Sequence, residues 1–181
     1  YGTRFKRVND ASSPFNGQIL LDDNGLPQRD NEIVKLGNQQ PTDLVGITNT
    51  FNYKGFGLSF MVDGRFGGKI FSGTNAAMQA AGTAAVTVVN GARDNMVVGG
   101  AVYNSTTKQY EANTKAVAPQ LYWQRVAGGN LGITEANLYD ASNIRLRNVQ
   151  FSYDLPAKFL SKTPIQKAKL GVTCNNVWLI Q

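Results

Sequence analysis

The chain has 181 residues, 42% hydrophobic and 10% aromatic, with 18 Lys and Arg against 12 Asp and Glu, 19 Gly, one Cys and no His. Such a composition belongs to a folded chain of one-domain size, and the missing histidine excludes His-based triads and His-ligated zinc within these residues. Mean hydropathy is −0.25 and no apolar run approaches the ~18 residues of a membrane-crossing helix, which leaves alternating barrel strands open.

Residues 1–40 hold three short strand candidates, Arg4–Val8, Gln18–Leu21 and Glu32–Leu36, separated by turn residues. Asp22-Asp23-Asn24-Gly25 followed by Pro27 is a strong turn signal. Its spacing partly mimics a calcium loop but lacks the closing Glu, so a hairpin tip is the simpler reading.

Residues 45–66 read VGITNTFNYKGFGLSFMVDGRF. Val45, Ile47, Phe51 and Tyr53 alternate with polar residues, and so do Phe56, Leu58, Phe60, Val62 and Phe66. This period of two predicts strands over 43–53 and 56–66. A two-residue turn at Lys54-Gly55 sets Tyr53 against Phe56, Phe51 against Leu58 and Ile47 against Val62. Both apolar sets then share one face, so the register is self-consistent.

Residues 67–140 are rich in Gly, Ala, Asn and Thr and weakly periodic. They read as one long loop, with a short helix at Ala76–Ala81, and a loop of that length is usually functional or disordered. A third strand is expected over 141–155, where Val149, Phe151 and Tyr153 alternate with polar residues. Ile144 and Leu146 carry the opposite phase, which predicts either a bulge or an exit from an apolar layer. A short connection follows at 156–164. The fourth strand, 165–180, places Ala168, Leu170, Val172, Cys174, Trp178 and Ile180 in one phase. Cys174 therefore reads as a small packing residue rather than a reactive thiol.

The order of short turn, very long loop and short turn, with aromatics near the short turns, matches outer-membrane barrels. Each long strand meets the ~9–11 residues such a crossing needs. Asp63 and Arg65 lie on the polar phase, as substrate-binding candidates or as a structural ion pair in a hydrated wall; Arg145 and Arg147 carry the same two readings. Tyr122-Trp123 sits late in the long loop and is read as loop packing, partner contact or ligand stacking. No carboxylate pair has a catalytic setting, so neither an enzyme nor a bound cofactor or metal is expected. The net charge of +6 is scattered along the chain, and no nucleic-acid partner is expected. Tyr1-Gly2-Thr3 and the apolar end at Trp178-Leu179-Ile180 suggest a piece cut from a longer protein.

The stretches GITNTFNYKGFGLSFMVDGRFGGKIFSGTN, AVAPQLYWQRV and YDASNIRLRNVQFSYDLPAKFLSKTPIQKAKL, with DDNGLPQ and KLGNQQPTDLVG upstream and NNVWLI at the end, resemble the SusC/RagA family of TonB-dependent outer-membrane transporters of Bacteroidota. The resemblance covers nearly the whole chain. It implies an all-β fold in which 41–181 is part of the C-terminal half of a 22-stranded transmembrane β-barrel. Residues 1–40 and 67–140 would then be extracellular, and the turns at 54–55 and 156–164 periplasmic. It implies import of oligosaccharides or peptides into a Gram-negative cell, with a SusD-like surface lipoprotein, TonB acting through parts outside this chain, and the lipid bilayer as partners. The rival reading is a soluble carbohydrate-binding β-sandwich, in which two sheets bury each other's apolar faces.

Overall fold

The computed structural model describes residues 1–88, 91–129 and 132–181. Strands dominate, with few helices, and the chain divides into two compact units.

Residues Gln39–Lys69 and Asp140–Gln181 form one unit. Its body is a four-stranded antiparallel sheet of β1 (Asp43–Tyr53), β2 (Phe56–Phe66), β3 (Asn143–Asp154) and β4 (Lys169–Ile180), ordered β4-β3-β2-β1. Lys54 and Gly55 join β1 to β2 with φ of 46° and 86°. Positive φ at both central residues is the primed turn that suits the right-handed twist of a hairpin. The register sets Tyr53 against Phe56, Phe51 against Leu58 and Ile47 against Val62. The third strand begins at Asn143 and the fourth at Lys169, later than the periodicity placed them, and Ala157–Leu160 makes one helical turn between them.

The phase change in β3 is a bulge. Leu146 pairs with Val62 and Trp178, Asn148 pairs with Met61 and Asn175, and Arg147 has no ladder partner on either side. One extra residue reverses the alternation that follows. Ile144 and Leu146 before the bulge therefore share a face with Val149, Phe151 and Tyr153 after it. Asn176 and Val177 lie opposite Arg147 in β4. Asn176 adopts φ 53°, a conformation that Asn tolerates better than most residues.

The result is a sheet with two unlike faces. One carries Ile47, Phe51 and Tyr53, Phe56 to Val62 at alternate positions, Ile144 to Tyr153 through the bulge, and Leu170, Val172, Cys174, Trp178 and Ile180. The other carries Thr48, Thr50, Ser59, Asp63, Arg65, Arg145, Asn148, Gln150 and Thr173. The apolar face is exposed to an unusual degree, with Phe51 at 57%, Val172 at 73% and Trp178 at 63%. Cys174 lies there too and is exposed, so among the described residues it is not buried as the packing role expected of it would require.

Residues Tyr1–Asn38 and Ile70–Tyr139 form the other unit. This differs from the division at residue 40 and from the single loop expected over 67–140. The segment 70–139 contains α1 (Gly73–Ala80), α2 (Pro119–Ala127) and short strands, and it shares its core with the N-terminal segment. Phe5, Val126 and Ile133 form one cluster; Val8, Leu20 and Ala101 form another. Leu20–Leu21 pairs in parallel with Ala101–Asn104, which pairs with Gln109–Ala112. Gly2–Phe5 pairs with Arg29–Val34. The strand candidates at 4–8, 18–21 and 32–36 were thus displaced by a few residues. Elements of two to nine residues give too few periods to read, and the buried residues include Ala76, Ala84, Ala101 and Ala127, which carry little hydrophobic signal.

The Asp22 turn closes as a hairpin tip. Its Oδ1 accepts the amides of Asn24 and Leu26 at 2.9 and 3.0 Å, and Gly25 takes φ 80°. The carboxylate serves the turn itself, as Asx turns do.

Candidate functional site

On the polar face of the four-stranded sheet, β2 brings Asp63 opposite Arg145 of β3, and the bulge delivers Arg147 to the same carboxylate. Arg147 donates from Nε and Nη2 at 2.9 Å each; Arg145 donates from Nη2 at 3.0 Å and Nε at 3.3 Å. Asp63 is buried and accepts all four bonds. Two bidentate forks fill the ~four lone-pair sites of a carboxylate. Asp63 has no acceptor left for a sugar hydroxyl, so its work is to hold two arginines in place. Each arginine keeps three of its five N–H donors, and the group carries net positive charge. Arg65 is exposed on the same face, opposite Asn143, and enters none of the ion pairs among the described residues.

The Tyr122-Trp123 pair lies in α2. Pro119 at the first helical position fixes φ for the helix start, and Ala118 precedes it with no side-chain cap. Tyr122 packs against the Phe5–Val126–Ile133 cluster. Burial pushes its phenol pKa up from the ordinary 10.0. The Trp123 ring meets the Tyr122 ring edge-on, with centroids 4.9 Å apart at 83°. The two neighbours therefore divide the work, Tyr122 packing inward and Trp123 lining an open cleft of about 460 Å³ with Gln79, Gly82, Arg93 and Gln120. The helix α1 that supplies Gln79 is capped at its start by Ser72, whose hydroxyl accepts from the Asn75 amide at 3.2 Å.

Sequence reasoning named Asp63, Arg65, Tyr122 and Trp123. The structure joins Asp63 to Arg145 and Arg147, places Arg65 beside that group on one face, and puts Trp123 in a cleft of the other unit. Gln79 and Arg93 were missed. Both come from the segment read as a loop, and neither belongs to a pattern with a chemical signature.

No family model matches the chain. It is 29% identical over 162 residues to TonB-dependent receptor P3 of Formosa agariphila, a match that covers 87% of this chain and 14% of that protein. The chain thus spans about a seventh of the length of that curated relative. Its fold is similar to chains in two solved structures of the RagAB peptide importer. The open-open state matches at TM-score 0.54 and 12% identity, the closed-closed state at 0.56 and 14%. Each match covers 99% of this chain, and they take in 18% and 19% of the importer chains. The chain is therefore similar in sequence to a TonB-dependent receptor and in fold to the RagAB importer, and its resemblance to the SusC/RagA family is borne out.

Proposed function

We propose that this chain is a wall segment of a 22-stranded TonB-dependent barrel in the outer membrane of a Gram-negative bacterium. The observation that carries the reading is the sheet with one continuous, exposed apolar face and one polar, charged face. Eleven residues at ~3.4 Å each make a strand of about 37 Å. Tilted by ~45°, such a strand rises about 26 Å, the height of the apolar band around a barrel. Phe56 packs at a tilt against Phe151 and Tyr153, with ring centroids 5.9 and 4.4 Å away, next to the Lys54-Gly55 turn, where an interfacial aromatic girdle would lie. The apolar face would meet lipid and the polar face the lumen. Residues 54–55 and 156–164 would be periplasmic, and residues 1–38 and 70–139 extracellular.

The whole protein would import oligosaccharides or peptides, driven by TonB and lidded by a SusD-like lipoprotein. Arg65 and Trp123 would touch passing substrate without covalent chemistry, Asp63 would act through its arginines, and Tyr122 would support Trp123. The rival soluble sandwich needs a second sheet over the apolar face, and Tyr53 at 70% and Val172 at 73% exposure offer it no support. The test is fractionation of the full-length protein. The account expects a carbonate-resistant outer-membrane band whose electrophoretic mobility changes on boiling. Recovery as a soluble protein would overturn it.

A further inference from the structure

The cleft beside Trp123 has no assigned occupant. Gln79 is 5% exposed, and its Oε1 accepts the Asn137 Nδ2 at 3.0 Å. Among the described residues nothing accepts from its Nε2, although the side chain lines the cleft. No buried side-chain nitrogen or oxygen among the described residues lacks a hydrogen-bond partner, so this Nε2 is open to the cleft, where it can donate to an acceptor. Arg93 is the charged side chain lining the cleft among the described residues. Its Nη2 donates to the Gly82 carbonyl at 2.7 Å, which fixes the guanidinium while leaving further N–H groups. The first turn of α2 also opens on this cleft through Ala118, Pro119 and Gln120, uncapped by any side chain; Pro119 carries no N–H and the Leu121 amide bonds to the Ala118 carbonyl, so the Gln120 amide is the donor this turn offers. Helix N-termini attract negative charge. The Thr87 hydroxyl is not available as a donor, since it is engaged with the Ala84 carbonyl at 2.7 Å. Arg93, Gln79 and Gln120 thus line one cleft with Trp123, and among the described residues that line it there is no carboxylate to oppose an anion.

We propose that this cleft binds an acidic saccharide unit, its carboxylate or sulfate held by Arg93, Gln79 Nε2 and the start of α2, and its ring stacked on Trp123. A volume of about 460 Å³ accommodates one or two sugar rings rather than a long chain. Flat aromatic faces suit the apolar side of a pyranose, and fixed N–H donors suit an oxyanion. The inference rests on the importer reading and gives it a substrate class.

The experiment uses the full-length receptor in detergent, labelled with 5-fluorotryptophan, with the Trp123 resonance assigned by W123F. Glucuronate, galactose 6-sulfate, glucose and triglutamate are titrated as probes, followed by ¹⁹F NMR. The expected result is a saturable shift with at least one anionic sugar and at least fivefold weaker binding of glucose. R93Q and Q79E are each expected to weaken anion binding about tenfold; Q79E keeps the acceptor for Asn137 while removing the free donor. An unchanged tryptophan fluorine spectrum outside the Trp123 signal checks that both variants fold. Absence of a saturable shift with both anionic sugars, tighter binding of triglutamate, or unaltered affinity in both variants overturns the proposal. Outer-membrane fractionation of the same preparations reads the importer account separately, so either can fail alone.

Discussion

Val149 and Gln150 are adjacent in β3, at the same depth and on opposite faces of the sheet. Val149 lies in a row with Phe60 and Cys174; Gln150 lies in a row with Ser59 and Thr173. Both rows sit near mid-strand, so a lysine at either position meets the centre of the layer the sheet would cross. On a lipid-facing position near the bilayer midplane a lysine costs ~2–4 kcal/mol, whereas a lumen-facing lysine stays hydrated. V149K should therefore destabilise the folded barrel by about 3 kcal/mol, a factor of roughly a hundred in the folding equilibrium at ~1.4 kcal/mol per decade. Q150K should change it by less than about 1 kcal/mol, the range of ordinary surface substitutions. Urea unfolding of the full-length protein refolded into liposomes, followed by the boiling-dependent band shift, reads both values. Equal damage from the two lysines, or tolerance of V149K, would refute the assignment of the faces.

Other substitutions probe the elements separately. D63N should lower the urea midpoint more than R147Q, because it removes the negative charge and one of the two oxygens that both arginines share, while R147Q leaves the Arg145 fork intact. G55V should cost about 1–2 kcal/mol in the same unfolding assay, since φ 86° is left-handed and the new Cβ would sit 3.3 Å from the Asp154 carbonyl. G100A should destabilise the unit built on residues 1–38 and 70–139, because φ there is 151° and a Cβ would lie 2.5 Å from the Ile19 carbonyl. Faster hydrogen exchange at Ala101, whose amide bonds to Ile19, is the measure, and an unchanged rate would refute it.

The long strands were legible because each gives five or six periods of alternation with one apolar side. The hairpin register followed from two residues, Lys54 and Gly55, since only a two-residue turn aligns both apolar sets. The bulge left a trace as the phase change around Arg147, yet only the register distinguishes it from an end of the apolar layer. The other unit was largely illegible. Its core joins Phe5 to Val126 and Ile133, and Leu20 to Ala101, across 80 or more positions that carry no periodic signal. Its helices are eight and nine residues long, and their buried positions include Ala76, Gln79 and Ala127, none of which announces a core. Trp123 drew notice as an aromatic, but its cleft depends on Gln79 and Arg93, which become neighbours only on folding.

The central claim is that the face bearing Ile144, Leu146, Val149, Phe151 and Tyr153 meets lipid. Nitroxide scanning of residues 143–154 in the full-length protein, one label at a time in a cysteine-free background within liposomes, tests it most directly. The account predicts oxygen accessibility that peaks at those five positions, with the alternation broken once at Arg147, and nickel-chelate accessibility in the opposite phase. Labels at those positions reached equally by the water-soluble nickel reagent, or an alternation running unbroken through Arg147, would contradict it.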